Sequence, residues 1–259
     1  MPTAQTAPEI VASPLDLSSR RGEPQNTSRL RRFLWPATWP RRILSILALL
    51  VLLLHLYLLA LRILPVPFTA TMVSRIEPYD VERDWVPLSD VSPHVVYSVI
   101  AAEDARFCTH NGIDWDAVED ARDSNARGGR RRGGSTITQQ TAKNVFLWQG
   151  GGYVRKAAEA YFAYAIDLVW GKRRVMEVYL NVAEWGDGLF GIESAARERF
   201  GKPASDLTPR EAALLAAVLP SPNKWRANPP GPYVSRRAGT LQARAADVRA
   251  SGAAACVLN

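Results

Sequence analysis

The sequence predicts a mainly α-helical domain that follows a single transmembrane helix. One apolar run near the N-terminus contains no charged residue, and several later segments carry helix-start and helix-stop signals. No segment shows the convincing alternation of apolar and polar residues that is typical of a strand. With 259 residues, 47% of them hydrophobic, the chain is long enough for one good-sized core and an appendage.

The first 42 residues form a basic tail. They hold seven arginines and three acidic residues, whereas residues 43–259 hold 25 basic and 22 acidic residues. More than half of the net charge of +7 therefore lies outside the predicted domain, which argues against a nucleic-acid partner. Residues 1–28 are rich in Pro, Ser, Thr and Gln, a composition that predicts disorder.

The apolar run extends from Ile43 to Leu61 and contains 19 residues without Lys, Arg, Asp or Glu. At about 1.5 Å per residue, such a helix nearly crosses a bilayer core of about 30 Å, and we assign residues 43–64 to the span. A cleaved signal peptide fits poorly, because the preceding segment is too long and no clean small-residue site follows. Five arginines precede the run closely and Arg62 alone follows it, which predicts a cytoplasmic N-terminus and an external domain.

After the span, a proline-punctuated segment with at most a short strand leads into predicted helices, which we place in one domain over residues 65–245. Residues 246–259 are assigned to a C-terminal tail. The helix signals are Ser92 as N-cap with Pro93 at the first position, a Ser135 cap, a junction of two helices near Gly171, and a Thr208–Glu211 capping box before Pro220. The two cysteines, Cys108 and Cys256, lie far apart, and we treat them as unpaired by default.

Glu103 is the first candidate catalytic residue. It continues the apolar stripe formed by Val96, Val99 and Ile100, at the i+7 position from Val96. A carboxylate at the end of a core-facing stripe is partly desolvated, so its pKa should rise toward the range that suits a general base or acid. A surface glutamate near a helix end is the commoner explanation of a single such residue.

Glu159 is the second candidate. It shares a helical face with Phe162, Ala163 and Ile166, and Arg155 lies one turn before it. An exposed i,i+4 ion pair would explain Arg155 and Glu159 without any function. Two inward glutamates on separate helices are less easily explained as surface residues without a function. Enzymes that act on glycosidic bonds commonly use a pair of carboxylates.

The segment "GGSTITQQTAKN" (residues 133–144) supplies a polar helix face. A helix that begins near Ser135 places Thr136, Gln140 and Lys143 on one side. Hydroxyl, amide and ammonium groups at successive turns suit sugar hydroxyls and a phosphate, and a helix N-terminus favours anions. Solvated helix surfaces normally use Glu and Lys rather than Thr and Gln.

These segments together resemble the monofunctional biosynthetic peptidoglycan transglycosylases of glycosyltransferase family 51. The matching blocks are "EDARFCTHNGID", "GGSTITQQTAKN", "RKAAE", "RRVMEVYLNVAEWGDGLFGIESAARERFGK" and "LTPREAALLAAVLPSPNKW". They run in order from about residue 65 to 245, and the ordered set is far more specific than any single block. Arg199, where the family has an aromatic residue, and Cys108 depart from the pattern at positions that are not catalytic in the family.

The resemblance implies a lysozyme-like fold and polymerisation of lipid II with inversion and release of undecaprenyl pyrophosphate. Glu103 then matches the general base, and Glu159 matches the second carboxylate near the pyrophosphate. The positions that match the family's donor site are Ser135, Thr136, Gln140, Lys143, Asn144 and Arg155.

The resemblance also implies the partners and the location. Lipid II, the nascent glycan chain and membrane lipids are the expected partners, together with cell-division or penicillin-binding proteins, and no nucleic acid is expected. The sequence requires no cofactor, although the resemblance allows a divalent cation such as Mg²⁺ or Mn²⁺ at Glu159. The expected location is the inner membrane, with a single span and a periplasmic catalytic domain.

Two other functions stay open on the sequence alone. A lytic transglycosylase or lysozyme-like hydrolase shares the broad fold but usually depends on one principal acid. A membrane-anchored scaffold would tolerate the loss of Glu103.

Overall fold

The computed structural model describes residues 38–74, 81–128 and 133–259, and the chain divides into two units between His55 and Leu56. The first helix, α1 (Trp39–Ala60), begins four residues before the predicted apolar run. Its 22 residues correspond to about 33 Å, enough to cross a bilayer core, and its apolar side chains are largely exposed. The helix therefore has the length and composition of a single-pass membrane anchor. Most of the basic tail and the arginine run at 130–132 lie outside the described residues.

The rest of the described chain is mainly α-helical, which confirms the predicted fold class. The helices are α2 (Ala70–Val73), α3 (Pro93–Glu103), α4 (Trp115–Ala126), α5 (Ile137–Phe146), α6 (Gly152–Val182), α7 (Ile192–Phe200), α8 (Pro209–Val218), α9 (Pro232–Ser251) and α10 (Ala255–Leu258). Helix α5 packs along α6, and α9 packs against both α8 and α3. Burial of the facing apolar side chains stabilises this arrangement by about 25 cal/mol for each Å² removed from water.

Two glycines set the shape of the central helix and its neighbours. Gly171 adopts φ 73° and ψ 167° inside α6, so the segment consists of two helices that meet at a kink, as predicted. Gly112 has φ +83°, and a Cβ atom there would lie 2.7 Å from the carbonyl oxygen of Ala163. Only glycine therefore lets the loop after α3 approach the backbone of α6 this closely.

A small three-stranded sheet was not predicted, although β1 lies in the segment after the span where a short strand was allowed. Its strands are β1 (Glu82–Arg83), β2 (Glu184–Gly186) and β3 (Leu189–Phe190), in the order β1-β3-β2. Strand β3 pairs with β1 in the parallel direction and with β2 in the antiparallel direction. Strands of two or three residues are too short to show the period-2 pattern on which sequence-based assignment depends.

Two of the predicted helix caps differ in the structure. Pro93 starts α3 as predicted, but the hydroxyl of Ser92 donates to the carbonyl of Leu207 at 2.9 Å and does not cap the helix. Thr136, not Ser135, is the N-cap of α5. Gln139 stands three residues after Thr136, so the two side chains complete a reciprocal capping box that Ser135 could not form. The predicted capping box of Thr208 and Glu211 is confirmed.

The default assignment of two unpaired cysteines was wrong. Cys108 and Cys256 form a disulfide across a sequence separation of 148, with their Cα atoms 5.6 Å apart. The pairing depends on the packing of α10 against α6, which brings the C-terminus to the loop after α3. Sequence spacing alone carries no sign of this proximity.

We expect the disulfide to contribute substantially to stability, because it closes a long loop in the unfolded chain. Replacing both cysteines with serine should lower the free energy of unfolding by about 2–5 kcal/mol. For a domain of this size the midpoint of thermal unfolding should fall by roughly 5–15 °C in detergent solution. Dithiothreitol should lower the wild-type midpoint to the same value and leave the double variant unchanged. Equal midpoints for both proteins without reductant would contradict this role.

Candidate active site

Glu103 lies at the C-terminal end of α3, beside Gln140, which lines a cleft. Val96, Val99 and Ile100 are fully buried, so the predicted core-facing side of α3 is confirmed. The side chain of Glu103 is half-buried at the end of this stripe. Its Oε2 atom accepts a hydrogen bond of 2.8 Å from Nε2 of Gln140 on α5. One carboxylate oxygen is therefore held in place by a neutral donor.

The surroundings of Glu103 make it a stronger base than an exposed glutamate. Burial raises its pKa above the ordinary value, and the neighbouring charge of Asp104 acts in the same direction. The hydrogen bond from Gln140 and the positive charges of Arg237 and Lys143 lower the pKa, but burial outweighs them. A carboxyl group whose pKa is raised toward neutral pH is suited to accept a proton from a hydroxyl group.

Asp104 positions the polar helix α5. It is buried, and its Oδ2 atom accepts hydrogen bonds of 3.0 Å from Nε2 of His110 and from the backbone N–H of Ile137. The second bond joins the end of α3 to the first residue of α5. Because Gln140 lies one turn further along α5, this contact fixes the helix that carries the partner of Glu103.

Helix α5 brings three of the predicted substrate-binding residues to one cavity. Gln140, Lys143 and Asn144 line a cleft of about 220 Å³, together with residues of α6 such as Tyr179. Tyr179 is buried, and its hydroxyl lies 3.5 Å from Oε1 of Gln140, so the amide nitrogen of Gln140 faces Glu103. The predicted polar face of α5 is thus directed into a cavity and not into bulk solvent.

Thr136 stands at the start of α5, where its hydroxyl makes two hydrogen bonds within the protein. It is 2% exposed, and its hydroxyl accepts from the backbone N–H of Gln139 while donating to the carbonyl of Gly112 at 2.6 Å. Both hydrogen-bonding functions of the hydroxyl are used within the protein. Thr136 therefore builds the start of α5, and its hydroxyl proton is used within the protein.

Glu159 is part of a buried charge cluster on α6 and not of an exposed ion pair. Its side chain is 4% exposed. Arg155 donates to Oε2 from Nη1 at 2.6 Å, and Lys156 forms an ion pair with Oε1. Lys156 also donates to the hydroxyl of Ser135 at 3.2 Å, which connects the cluster to the start of α5. Lys156 was not predicted, although its position three residues before Glu159 was a usable signal.

Lys143 adds a third positive charge beside this cluster. Burial lowers its pKa, and the nearby Glu159 carboxylate opposes that effect. In the described part of the chain, no carboxylate forms an ion pair with Lys143, whereas Arg155 and Lys156 share Glu159. Three cations and one carboxylate leave this region with a net charge of +2. Such a site is suited to a doubly charged anion such as a diphosphate.

The residues around Glu159 do not fit a divalent cation. Both carboxylate oxygens already accept from cationic groups, and three positive charges surround them. Across residues 38–74, 81–128 and 133–259, no group of three or more His, Cys, Asp or Glu side chains could hold a metal ion. Mg²⁺ and Mn²⁺ prefer several oxygen ligands, and this cluster offers a site for an anion instead.

Comparisons with known proteins agree with this chemistry. A family model described as "Transglycosylase" matches residues 69–246. The chain is 53% identical over 221 residues to a biosynthetic peptidoglycan transglycosylase of Rhodospirillum centenum, covering 85% of this chain and 96% of the relative. Similar proteins of the same name occur in Pseudomonas entomophila (51% identity; 71% and 81% covered) and in Caulobacter vibrioides (48% identity; 76% and 86% covered).

Proposed function

We propose a role for each charged group of the cleft, on the premise that this chain belongs to the transglycosylase family. This chain is a peptidoglycan glycosyltransferase that polymerises lipid II into glycan strands during cell-wall synthesis. The observation that supports these roles best is that Glu103, a base with a raised pKa, is hydrogen-bonded to Gln140 on the helix that also carries Lys143, beside the cationic cluster around Glu159. The test is polymerisation of lipid II by the purified protein and by variants at these positions.

Glu103 is the proposed general base. Its carboxylate accepts the proton of the acceptor's 4-hydroxyl as that oxygen attacks the anomeric carbon of the donor. The new glycosidic bond forms with inversion, because the diphosphate leaves from the opposite face. Gln140 holds Oε2 of Glu103 by a hydrogen bond, and this leaves Oε1 as the oxygen that takes the proton.

The cations near Glu159 are proposed to stabilise the leaving diphosphate. Negative charge grows on the diphosphate as the bond to the anomeric carbon breaks, and fixed positive groups in a partly buried site lower the energy of that state. Lys143 and Arg155 supply this charge, and Lys156 adds to it. A diphosphate is already a good leaving group, so cations serve it better than a strong general acid would.

Glu159 is proposed to act as the residue that holds these cations. Two positive side chains that converge on one site repel each other, and a shared carboxylate offsets this repulsion. Ser135 joins the same network through Lys156, and Asn144 lines the cavity beside Lys143. These two residues are proposed to bind the donor's sugar and phosphate oxygens.

We propose that the catalytic domain lies in the periplasm and that α1 crosses the inner membrane. The arginine asymmetry around the span supports this orientation. The Cys108–Cys256 disulfide supports it independently, because disulfides persist in oxidising compartments and are rare in the cytosol. A tethered enzyme meets its lipid-linked substrate in the same bilayer, which raises the effective concentration. The family resemblance also supports a proposal that cell-division or penicillin-binding proteins bind the chain.

The orientation predicts the outcome of a reporter fusion. A periplasm-dependent reporter fused after residue 70 should be active, because this junction follows the span. The same reporter fused after residue 42 should be inactive and is the matched control. If only a cytoplasm-dependent reporter is active when fused after residue 70, the chain has the reverse orientation in the membrane.

A further inference from the structure

A groove of about 650 Å³ lies where α9 packs against α3 and the start of α8. Its volume is in the range of pockets that hold small ligands. The described residues that line it are all different from those that line the cleft along α5. His94, on the α3 side of the groove, precedes Glu103 by nine residues, about two and a half helical turns, so the two residues lie on opposite sides of α3. The groove is therefore separate from the proposed catalytic site.

The floor of the groove is a stripe of small residues on α9. Gly239, Ala243, Ala246 and Ala250 are exposed at successive turns and extend over about 16 Å. Side chains of this size let a ligand lie close to the helix along its length, which favours an extended ligand over a compact one. Such a stripe is also common on helix surfaces, so the evidence for a binding site comes from the polar groups around it.

Ser98 places an unmatched hydroxyl group in the wall of the groove. The residue is 1% exposed, and among the described residues its Oγ atom has no hydrogen-bond partner. Buried hydroxyl groups are nearly always hydrogen-bonded, so a bound ligand is a candidate for the missing partner. Gln242 lines the α9 side and is half-buried, and within the described chain its amide has no partner either. These two side chains favour a ligand that carries hydroxyl or amide groups.

Two rings and one guanidinium group complete the polar and aromatic lining. The rings of His94 and Tyr97 are half-buried, with their centroids 6.4 Å apart, and they offer apolar surface to a ligand. Arg249 is exposed and forms no ion pair with another described residue. None of the described lining residues is acidic. The ligand that matches this lining therefore also carries an anionic group.

We propose that this groove binds peptidoglycan glycan strands with their stem peptides, as a second binding site apart from the catalytic cleft. A strand is extended, and the C–H faces of its sugars suit the two rings. Its acetamido and hydroxyl groups match Gln242 and Ser98, and the carboxylates of its peptides match Arg249. The inference rests on the proposed function, because the enzyme makes such strands. Two sources share this chemistry, namely the strand that the enzyme is making and the strands of finished peptidoglycan.

The test is the binding of fluorescently labelled, uncrosslinked glycan strands to the purified full-length protein in detergent. The strands carry no lipid diphosphate, so they cannot act as donors and binding is measured without turnover. The wild type should show saturable binding by fluorescence anisotropy. Ala246→Trp places an indole ring on the floor of the groove and should weaken binding by at least about 10-fold. Thr240→Trp is the matched control, because Thr240 is exposed on the same helix and lines a different groove, and it should bind like the wild type.

Variants that remove a single group identify the contacts. Arg249→Ala should weaken binding by about 10–100-fold, the usual effect of losing a hydrogen bond to a charged group. This penalty should vanish with strands whose carboxylates are amidated. Ser98→Ala should weaken binding by about 3–10-fold, whereas the midpoint of thermal unfolding stays the same or rises, because the described chain gives this hydroxyl no partner to lose. A serine with only a structural role would show the opposite pattern.

Two further measurements distinguish the sources of the strand. If the nascent strand occupies the groove, Ala246→Trp should shorten the glycan made from lipid II while the initial rate stays at the wild-type value. If finished peptidoglycan occupies it, the length of the product should stay the same. Ala246→Trp should then lose the cosedimentation with insoluble peptidoglycan that the wild type and Thr240→Trp show.

The proposal is overturned if the wild type binds no strands, or if Ala246→Trp binds them as well as Thr240→Trp does. A synthetic amphipathic helix with glutamates on its polar face is the comparison ligand. If this helix binds to the groove and the strands do not, the groove is a surface for docking proteins and the proposal is wrong. If the wild type does not polymerise lipid II, the proposed function fails instead, and the binding of added strands still decides whether the groove holds them.

Discussion

Replacing Glu103 with glutamine is expected to lower the rate of lipid II polymerisation by about 10²–10⁴-fold, the usual value of a positioned general base. Glutamine keeps the shape of the side chain and can still accept from Gln140, but it has lost the basic oxygen. Binding of lipid II should persist, because the cations around Glu159 are untouched. The rate is measured from labelled glycan on gels, and binding is measured separately with lipid II in detergent.

The same variant should be as stable as the wild type or slightly more stable. Because burial raises the pKa of Glu103 in the folded state, ionisation costs more in the folded chain than in the unfolded chain. The wild type therefore loses stability relative to the glutamine variant as the pH rises through these pKa values, and the difference disappears at pH values below both. A thermal scan at acidic and neutral pH checks this sign.

Glu119→Gln is the matched control for the Glu103 variant, since Glu119 is exposed on α4. It should polymerise lipid II at the wild-type rate. A Glu103→Gln protein that is folded and equally active would refute the role of Glu103 as the base. Because the variant is expected to keep its stability, loss of activity through unfolding would itself contradict the pKa argument.

Removing Lys143 or Arg155 is expected to lower turnover by about 10²–10³-fold each, by analogy with the loss of one donor to a developing oxyanion. Lys143→Ala is the cleaner test, because no carboxylate in the described chain forms an ion pair with Lys143. Removing the lysine therefore leaves no carboxylate unpaired. Arg155→Ala removes one of the two cations on Glu159, and Lys156 still neutralises that carboxylate. Both variants should therefore fold, which thermal unfolding checks.

The pattern of recovery distinguishes charge from packing. Arg155→Lys should regain part of the lost turnover, because a positive charge remains near the diphosphate. Lys224→Ala removes an exposed lysine outside the cleft and should have no effect. Turnover close to the wild-type rate in both Lys143→Ala and Arg155→Ala would remove these residues from the mechanism.

Local sequence signals predicted much of the fold. The apolar stripe from Val96 to Ile100 predicted the buried face of α3 on which Glu103 lies, and Gly171 predicted the kink of α6. Both features depend on periodicity or on a single residue's backbone preference, which a sequence displays directly. The polar face of α5 was predicted for the same reason, and Gln140 and Lys143 do line the cavity.

Features that depend on contacts between distant segments were missed. Asp104 reaches the backbone of Ile137, and Cys108 reaches Cys256, only because separate helices pack together. Thr136 was predicted to face a substrate because hydroxyls suit sugars, and its use in the capping box of α5 was not predicted. Local chemistry thus predicted which groups matter better than it predicted their partners.

The most direct test of the account is the product that the purified protein makes. Two substrates are offered in parallel: labelled lipid II in detergent, and finished peptidoglycan. The account predicts long glycan strands and released lipid diphosphate from lipid II, both strongly reduced by Glu103→Gln, and no soluble fragments from finished peptidoglycan. Release of muropeptides from finished peptidoglycan, with no polymer formed from lipid II, would contradict it and identify a lytic enzyme.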